Sequence, residues 1–509
     1  MAGLLLPILD GLRNVTFINN LLASTGVLVS ILPGLLPTLV LPKFLGGSQD
    51  TGVTRYYNLE ISRQTFAPDG IPVPMIVVNG QFPGPLLEAN WGDMIEVTVK
   101  NSIEEPAEGT ALHWHGLLQK KTPWYDGVPS ADIYGSSWWH SHYSAQYAGG
   151  ILGPMVIHGP TDNYPTQDYT DLGPIIVSDA YNSDYYTLVQ QSMTNNPAVA
   201  ALVTSTSTLI QGKMNADCSN APRGSKCTPG APLAKFGFTR GKAHLMRFIN
   251  TSGAGYMVIS LDQHDMAVVA NDFVAVKPYT TKFITLFVGQ RIDVLVTANK
   301  RPGAYWLRVR QPVWCALSVQ PFALAAVYYD GIDTQSKPRS LPNLDFIQPT
   351  LINCGDASLT KTEPFYAIKL DAPDVTVDIQ ITQAVNATGH THYEMNGQTF
   401  RANYNYPILN LTHSGNTSYP FDPQWNVYNF GRNETIRFVF ENNVPFGHPM
   451  HIHGQNMYIV DEGVGKYNGI DAVRPQNPAR RDTASLKPNG YLVAQLKSDE
   501  GPCRVHAKI

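Results

Sequence analysis

The 509-residue chain is 43% apolar and 15% charged, and its length suits about three domains. Its 36 basic and 40 acidic residues give a net charge of -4, with no basic run that could neutralise a phosphate backbone. Nucleic acid is therefore excluded as a partner. The 42 glycines and 38 prolines are typical of an ordered, turn-rich protein built of strands rather than helices.

Residues 1–50 differ from the rest of the chain. The stretch Leu21–Leu41 is mostly leucine, valine, isoleucine and small residues, and it is long enough to reach across a bilayer. Pro33 and Pro37 interrupt it, and proline kinks or breaks a helix. We interpret residues 1–50 as a secretory leader or membrane anchor, with an apolar extension folded on the body as the alternative. The chain is thus expected to be secreted, or to contact a membrane only through this segment.

Cysteines and glycosylation sequons agree with an oxidising, glycosylating compartment. Cys218 and Cys227 flank a loop rich in glycine, proline and serine, and Cys315 and Cys354 flank another irregular stretch, so we predict two local disulfides. Cys503 is left over. The Asn-x-Ser/Thr sequons stand at Asn14, Asn250, Asn386, Asn410, Asn416 and Asn433.

A ten-residue pattern that occurs three times predicts the architecture. Each copy begins with a turn residue, alternates apolar and polar positions, and ends in asparagine, which is typical of a strand with one buried face. Three copies match the expected number of domains, so we predict an all-β protein of three similar sandwich or barrel units, without a long amphipathic helix after residue 50. The copies are Gly92–Asn101, Gly241–Asn250 and Asn433–Asn442, and the predicted domains are 51–160, 167–330 and 362–509.

Seven of the 14 histidines fall in three short motifs, and each motif contains His-x-His. On a strand, residues i and i+2 project from the same face, so each pair presents two imidazoles towards one point. Imidazole suits copper, zinc, iron and nickel, and converging pairs from separate strands can hold a multinuclear cluster. The candidate metal ligands are His113 and His115 in LHWHG, His140 and His142 in WWHSHY, and His448, His451 and His453 in GHPMHIHG.

Six further histidines are interpreted as ordinary surface or hydrogen-bonded residues. His390 and His392 in TGHTHY form a further His-x-His, but they lie in a polar stretch without the aromatic and glycine surroundings. The remaining members of this group are His158, His244, His264 and His413.

In combination these motifs resemble those of the multicopper oxidases, and most closely the fungal laccase-like enzymes of the ascomycete type. The resemblance runs from about Tyr56 to about Gln495. It includes VNGQFPGPLLEANWGD, HWHG, YDGVPS, HSHYSAQYAGGILGP, NDFVAVKPYTT, VGQRIDVLV, HPMHIHG and VRPQNPARRD. It implies three cupredoxin-like Greek-key β-barrel domains, four copper ions, and oxidation of a small phenolic substrate coupled to reduction of dioxygen to water.

The resemblance also implies a role for each candidate residue. His448 matches a ligand of the type-1 copper, which accepts electrons from the substrate, and His113 and His451 match ligands of the type-2 copper. Asp126 in WYDGVPS matches a carboxylate that assists proton delivery during oxygen reduction; alternatively, it is a turn residue before a glycine. The ligands of the binuclear type-3 copper pair are matched by His115, His140, His142 and His453.

Two departures from the family pattern concern the metal sites. The family's sequences end in a His-Cys-His block that supplies the type-1 cysteine, the other type-1 histidine and two type-3 ligands. This block has no counterpart here after YLVAQLKSDEG. Cys503 and His506 follow that segment, but they differ from the block in spacing and setting. Between Ser130 and Ala131 the chain lacks a Cys-Pro element and most of a strand found in relatives. We therefore expect incomplete first and third domains and a defective type-1 site, through mis-assigned exon boundaries or a degraded gene.

Three functions are compatible with these motifs. The first is a copper-dependent oxidoreductase of laccase type, with the expected defect at its type-1 site. The alternative is a non-catalytic, copper-binding secreted glycoprotein derived from a multicopper oxidase. The third is a zinc or copper hydrolase that uses the same imidazoles, which we disfavour because no positioned carboxylate or nucleophile motif accompanies them.

Overall fold

The structure is a computed structural model. It describes residues 14–17, 51–118, 133–159, 168–193, 204–221, 224–347, 354–401, 403, 405, 408, 411, 422–430, 433–471, 476–497 and 505–507. Apart from Asn14–Phe17, the predicted leader lies outside the described residues. Among the described residues, no helix has both the length and the apolar character needed to cross a membrane.

Among the described residues, eight strands form the first unit as two four-stranded sheets. They are β1 (Asn14–Phe17), β2 (Thr54–Phe66), β3 (Val73–Val78), β4 (Leu87–Asn90), β5 (Met94–Ser102), β6 (Leu112–Trp114), β7 (Gly135–Ser141) and β8 (Leu152–His158). The strand orders are β1-β5-β2-β3 and β4-β8-β7-β6. Ile61, Val99 and Ile157 belong to the hydrophobic core of this unit.

In the described part of the chain the middle unit has the most strands, in sheets of six and five. Its strands are β9 (Tyr169–Ala180), β10 (Ser207–Ile210), β11 (Lys235–Phe238), β12 (Ala243–Asn250), β13 (Met257–Leu261), β14 (Met266–Asn271), β15 (Val274–Thr281), β16 (Ile284–Leu286), β17 (Arg291–Thr297), β18 (Ala304–Arg310) and β19 (Phe322–Tyr329). The strand orders are β10-β9-β12-β17-β14-β15 and β11-β19-β18-β13-β16. The helices are short: α1 (Tyr185–Ser192), α2 (Leu344–Ile347) and a 3-10 turn at Cys218–Asn220.

The third unit has sheets of six and three strands among the described residues, fewer than the middle unit. Its strands are β20 (Val375–Val385), β21 (Thr391–Met395), β22 (Thr435–Asn442), β23 (His448–Ile452), β24 (Met457–Val464), β25 (Ala479–Arg481), β26 (Thr483–Leu486), β27 (Gly490–Lys497) and β28 (Val505–Ala507). The strand orders are β21-β20-β22-β27-β24-β25 and β26-β23-β28. A 3-10 turn spans Pro423–Trp425.

The three predicted repeat strands occupy the same position in their sheets. β5, β12 and β22 each run parallel to the first long strand of their unit, namely β2, β9 and β20. The closing asparagine of each repeat accepts a hydrogen bond from the backbone N–H two residues later, as in an Asx turn. These pairs are Asn101 with Ile103, Asn250 with Ser252 and Asn442 with Val444. The repeated asparagine therefore forms the same turn at or next to the end of each strand.

The prediction of one buried face holds for the first repeat strand and is wrong for the other two. β5 buries Val97 and Val99 in alternation, whereas β12 is buried at every position and β22 at six of eight. The first unit covers the outer face of β12. Arg247 on this face donates a hydrogen bond to the hydroxyl of Ser136, on β7 of the first unit, at 3.1 Å. The outer face of β22 packs Val439 in a separate cluster with β24 and β27.

The sequon at Asn250 is an internal structural element. Its side chain is fully buried and donates to the carbonyls of Gly255 and Leu286 at 2.8 and 2.9 Å. Asn386 and Asn433, by contrast, are exposed. A glycan on the folded chain is therefore incompatible with Asn250 and sterically possible at the other two.

Candidate metal centre

Strand pairing brings the first two histidine motifs side by side. β6 and β7 are antiparallel neighbours, and His113 lies directly opposite His140. His115 and His142 follow at the ends of these strands on the same faces, as expected from the two-residue period. The third motif comes from β23 and the residue after it, in the third unit.

Six of the seven candidate histidines form one cluster of rings. Two ring pairs are stacked across the units: His113 with His453 at 4.0 Å between centroids, and His115 with His451 at 3.9 Å. The ring centroids of His140 and His113 are 5.1 Å apart. The cluster consists of His113, His115, His140, His142, His451 and His453. The first and third units therefore enclose it together.

The seventh histidine, His448, lies apart from this cluster. It precedes His451 by three positions on β23, so the two side chains point to opposite faces of the strand. Its ring meets the ring of Tyr393 edge-on at 5.2 Å. Its Nε2 is buried and has no hydrogen-bond partner in the described part of the chain. Burial lowers the pKa of His448 to about 4, so the ring is neutral and can offer a lone pair to a metal.

The ring cluster also fits a metal. Nitrogens of His113, His115 and His451 lie within 4.8 Å of one another, and the Nε2 atoms of His113 and His451 are 3.4 Å apart. Imidazole–metal bonds of about 2.0–2.1 Å, as for zinc, place two ligands of one ion at most about 4.2 Å apart, and the Nε2 atoms of His113 and His451 meet this limit. Burial, with His115 and His453 close by, holds the pKa of His451 well below its usual value. This donor set of clustered imidazoles suits copper.

Sequence reasoning missed three residues that surround this cluster: Arg291, Asp482 and Thr483. The Thr483 hydroxyl lies 3.0 Å from His115 Nε2, and Asp482 Oδ1 lies 3.3 Å from the same atom. Burial alone would raise the pKa of Asp482, but the charge and hydrogen bonds of Arg291 outweigh it and lower that pKa. The motifs VGQRIDVLV and VRPQNPARRD contained Arg291 and Asp482, but nothing local in them pointed to the histidines.

Of the six histidines interpreted as ordinary residues, the five in the described part of the chain have partners elsewhere. His264 is buried between the Asp262 carbonyl and the Tyr329 hydroxyl, and His392 lies 3.0 Å from Glu394. The other assignments are as follows: His244 accepts from the Thr239 N–H, His158 contacts Glu88, and His390 contacts Thr388. His413 lies outside the described residues.

Both predicted disulfides are present. Cys218 pairs with Cys227, and Cys315 pairs with Cys354. Cys503 and the candidate proton donor Asp126 lie outside the described residues, as does the junction at residues 130 and 131, so these expectations stay predictions. The β28 backbone pairs with β23 and sets residue 506 opposite His451.

Six clustered imidazoles shared by two β units, with a further buried histidine at a separate position, are a donor set that can hold several metal ions. Three multicopper oxidase family profiles match the chain, at residues 60–133, 171–330 and 376–509. The chain belongs to the multicopper oxidase family. It is a copper-dependent oxidase by descent, and copper is its cofactor.

Fungal proteins are similar over most of the chain. Oxidoreductase OpS5 of Beauveria bassiana is 33% identical, with 90% of this chain and 80% of that protein covered. Laccase-2 of Podospora anserina is 32% identical, with 88% and 75% covered, and the laccase of Neurospora crassa is 31% identical, with 91% and 77% covered.

Solved structures agree with the predicted all-β, cupredoxin-like fold. The laccase from Botrytis aclada matches with a TM-score of 0.78 at 28% identity, covering 88% of this chain and 83% of that one. Fet3p, described as a multicopper oxidase that functions in iron import, matches with a TM-score of 0.74 at 21% identity, covering 89% and 88%, and supports the fold alone.

Proposed function

We propose that the chain is a secreted laccase-like enzyme that oxidises small phenols and reduces dioxygen to water. The observation that carries this proposal is the cluster of six imidazoles built jointly by the first and third units. The similarity to fungal laccases supports phenols as the substrate class. The reaction balances when four phenols each lose one electron and one proton, and one dioxygen takes up four electrons and four protons to give two waters.

The seven histidines are proposed to hold the copper ions in the roles that the resemblance implies. His113 and His451, with their Nε2 atoms 3.4 Å apart, would share the type-2 ion. His448, neutral and buried beside Tyr393, would bind the type-1 ion nearest the substrate. The type-3 pair would be held by His115, His140, His142 and His453. Bound copper supplies the one-electron acceptor and the oxygen-binding centre.

Other parts of the proposal concern protons, compartment and domains. Asp126 is proposed to deliver protons during oxygen reduction. Secretion is supported by the apolar leader, the two disulfides and the exposed sequons at Asn386 and Asn433. The three units, leaving out β1 of the predicted leader segment, are proposed to be domains spanning 51–160, 167–330 and 362–509.

One observation favours the alternative, a copper-binding glycoprotein without turnover. All four cysteines in the described residues are in disulfides, so that part of the chain places no thiolate beside His448. A cysteine thiolate is the ligand that defines a blue copper site. Copper bound at the six-ring cluster alone would then lack an acceptor for substrate electrons.

Three measurements on the purified, copper-loaded chain distinguish the two functions: copper content, visible absorption and oxygen uptake with a phenol. A laccase-like enzyme is expected to show blue absorption and to consume oxygen. A non-catalytic glycoprotein is expected to bind copper but to show neither blue absorption nor oxygen uptake. His113→Ala is expected to lower copper content, and His392→Ala, from the His-x-His outside the cluster, is the matched control. Equal copper content in both variants would contradict the site assignment.

A further inference from the structure

The dipeptide Asp482–Thr483, at the start of β26, hydrogen-bonds histidines of two different units. The Thr483 hydroxyl lies 3.0 Å from His115 Nε2 and 3.1 Å from His451 Nδ1. The Asp482 carboxylate lies 3.3 Å from His115 Nε2, and the Asp482 carbonyl lies 2.9 Å from His451 Nδ1. One dipeptide therefore contacts both rings of a stacked pair.

These contacts determine which nitrogen of each ring carries the proton. A carbonyl oxygen only accepts hydrogen bonds, so His451 donates from Nδ1 and its neutral ring has the lone pair on Nε2. The Thr483 hydroxyl donates to Asp482 Oδ1 at 2.9 Å, and it therefore accepts from the imidazoles. His115 accordingly carries its proton on Nε2 and its lone pair on Nδ1. Both rings thus turn their N–H towards the dipeptide and their lone pair away from it.

Arg291 of the middle unit fixes the Asp482 carboxylate. Two parallel hydrogen bonds of 2.6 Å join Nη1 to Oδ1 and Nη2 to Oδ2, and both side chains are fully buried. Arg291 Nε also donates to the Ser136 carbonyl at 3.0 Å, on the strand that carries His140. A bidentate arginine–carboxylate pair fixes the orientation of both groups, so the carboxylate cannot turn away from His115 without breaking the pair.

Asp272 holds the main chain at Arg291 and at Thr483, the residue after Asp482. Its carboxylate accepts from the backbone N–H of Arg291 at 2.9 Å and from that of Thr483 at 3.3 Å. Arg481 binds the same carboxylate at 2.9 Å. The dipeptide is therefore held both through its side chain and through its main chain by the middle unit.

We propose that Asp482 and Thr483 are positioning residues of the metal centre. They set the tautomers of His115 and His451 and aim the lone pairs of both rings into the cluster, and Arg291 holds them in place. This inference rests on the proposed function, because it concerns the same copper site. Loss of such an outer hydrogen-bond partner typically weakens metal binding about 10–100-fold.

Copper affinity of the metal-free full chain, measured against a competing chelator, tests this role directly. Asp482→Asn is expected to weaken the tightest copper binding about 10–100-fold. Asp293→Asn is the matched control, because Asp293 is also buried and paired with an arginine, Arg247 at 3.0 Å, but hydrogen-bonds no histidine in the described structure. It is expected to bind copper as the wild type does. Urea unfolding of each variant, run in parallel, reports any general loss of stability.

Substitutions at Thr483 keep the test informative if Asp482→Asn does not fold. Thr483→Val preserves the side-chain shape and removes the hydroxyl, so copper affinity is expected to fall about tenfold, while Thr483→Ser retains wild-type affinity. Wild-type affinity in both Asp482→Asn and Thr483→Val overturns the inference, as does an equal loss in Asp293→Asn. A wild-type chain that binds no copper instead refutes the proposed function itself.

Discussion

Replacing Gly116 by alanine is expected to destabilise the protein more than its backbone conformation alone explains. Gly116 has a φ of +77°, in the left-handed region. A Cβ there would lie 2.7 Å from Arg291 Nη2 and still closer to Asp482 Oδ2. Neither atom can move aside independently, because both belong to the fully buried bidentate pair. The glycine of the HWHG motif is therefore required by the ion pair packed against it.

The size of the effect follows from two contributions. A left-handed conformation costs an alanine about 1–2 kcal/mol relative to glycine. Breaking a buried ion pair costs about 3–5 kcal/mol, so Gly116→Ala should lose about 4–7 kcal/mol in total. Gly173 has nearly the same φ, +76°, with no atom within 4 Å of a built Cβ. Gly173→Ala should therefore lose only about 1–2 kcal/mol.

Urea unfolding of the two variants beside the wild type measures this difference. The free energy of unfolding of Gly116→Ala should lie about 3–5 kcal/mol below that of Gly173→Ala. Equal values for the two variants would refute the close packing of the ion pair against residue 116.

Two further outcomes are expected in unfolding experiments. Burial raises the pKa of Glu462 from 4.5 to about 7. Between these two pH values the folded state keeps a proton that the unfolded chain has released. The free energy of unfolding of the wild type therefore falls as pH rises from about 4.5 to about 7. Glu462→Gln should therefore gain about 3 kcal/mol over the wild type between about pH 4 and about pH 8. The Cys315–Cys354 and Cys218–Cys227 disulfides have sequence separations of 39 and 9, so double alanine variants should lose about 4 and about 2.6 kcal/mol respectively.

Controls for these outcomes come from the same chain. Glu434→Gln, at an exposed glutamate, is the matched control for Glu462→Gln. A Glu462→Gln variant whose stability falls with pH as steeply as the wild type would contradict a raised pKa at that position. A larger loss for the short disulfide loop than for the long one would contradict loop closure as the main source of stabilisation.

Local sequence patterns predicted the strands and the histidine pairs because both depend on the two-residue period of a strand. The segment ending at Asn101, for example, forms β5, and the alternation in LHWHG places His113 and His115 on one face. Both disulfides were also predictable, because their cysteines flank local loops.

Burial and long-range polar contacts were not predictable from these patterns. The outer face of β12 is buried because another unit covers it, and no alternation within β12 itself reveals this. Arg291 and Asp482 are 191 residues apart, and only the packing of the middle unit against the third brings them together. Asn250 matches a three-letter sequon, yet the fold uses its side chain to hold two carbonyls.

The middle unit contributes no candidate copper ligand, yet it supplies the arginine that holds Asp482 beside the cluster. A shortened relative that joined residue 160 directly to residue 362 would keep all seven candidate histidines and lose Arg291 and Asp272. Such a chain would have every candidate ligand, but it would lack the arginine that fixes the Asp482 carboxylate beside His115. For rearranged members of the family, retention of this arginine is therefore a second indicator of copper binding, to be read together with retention of the histidines.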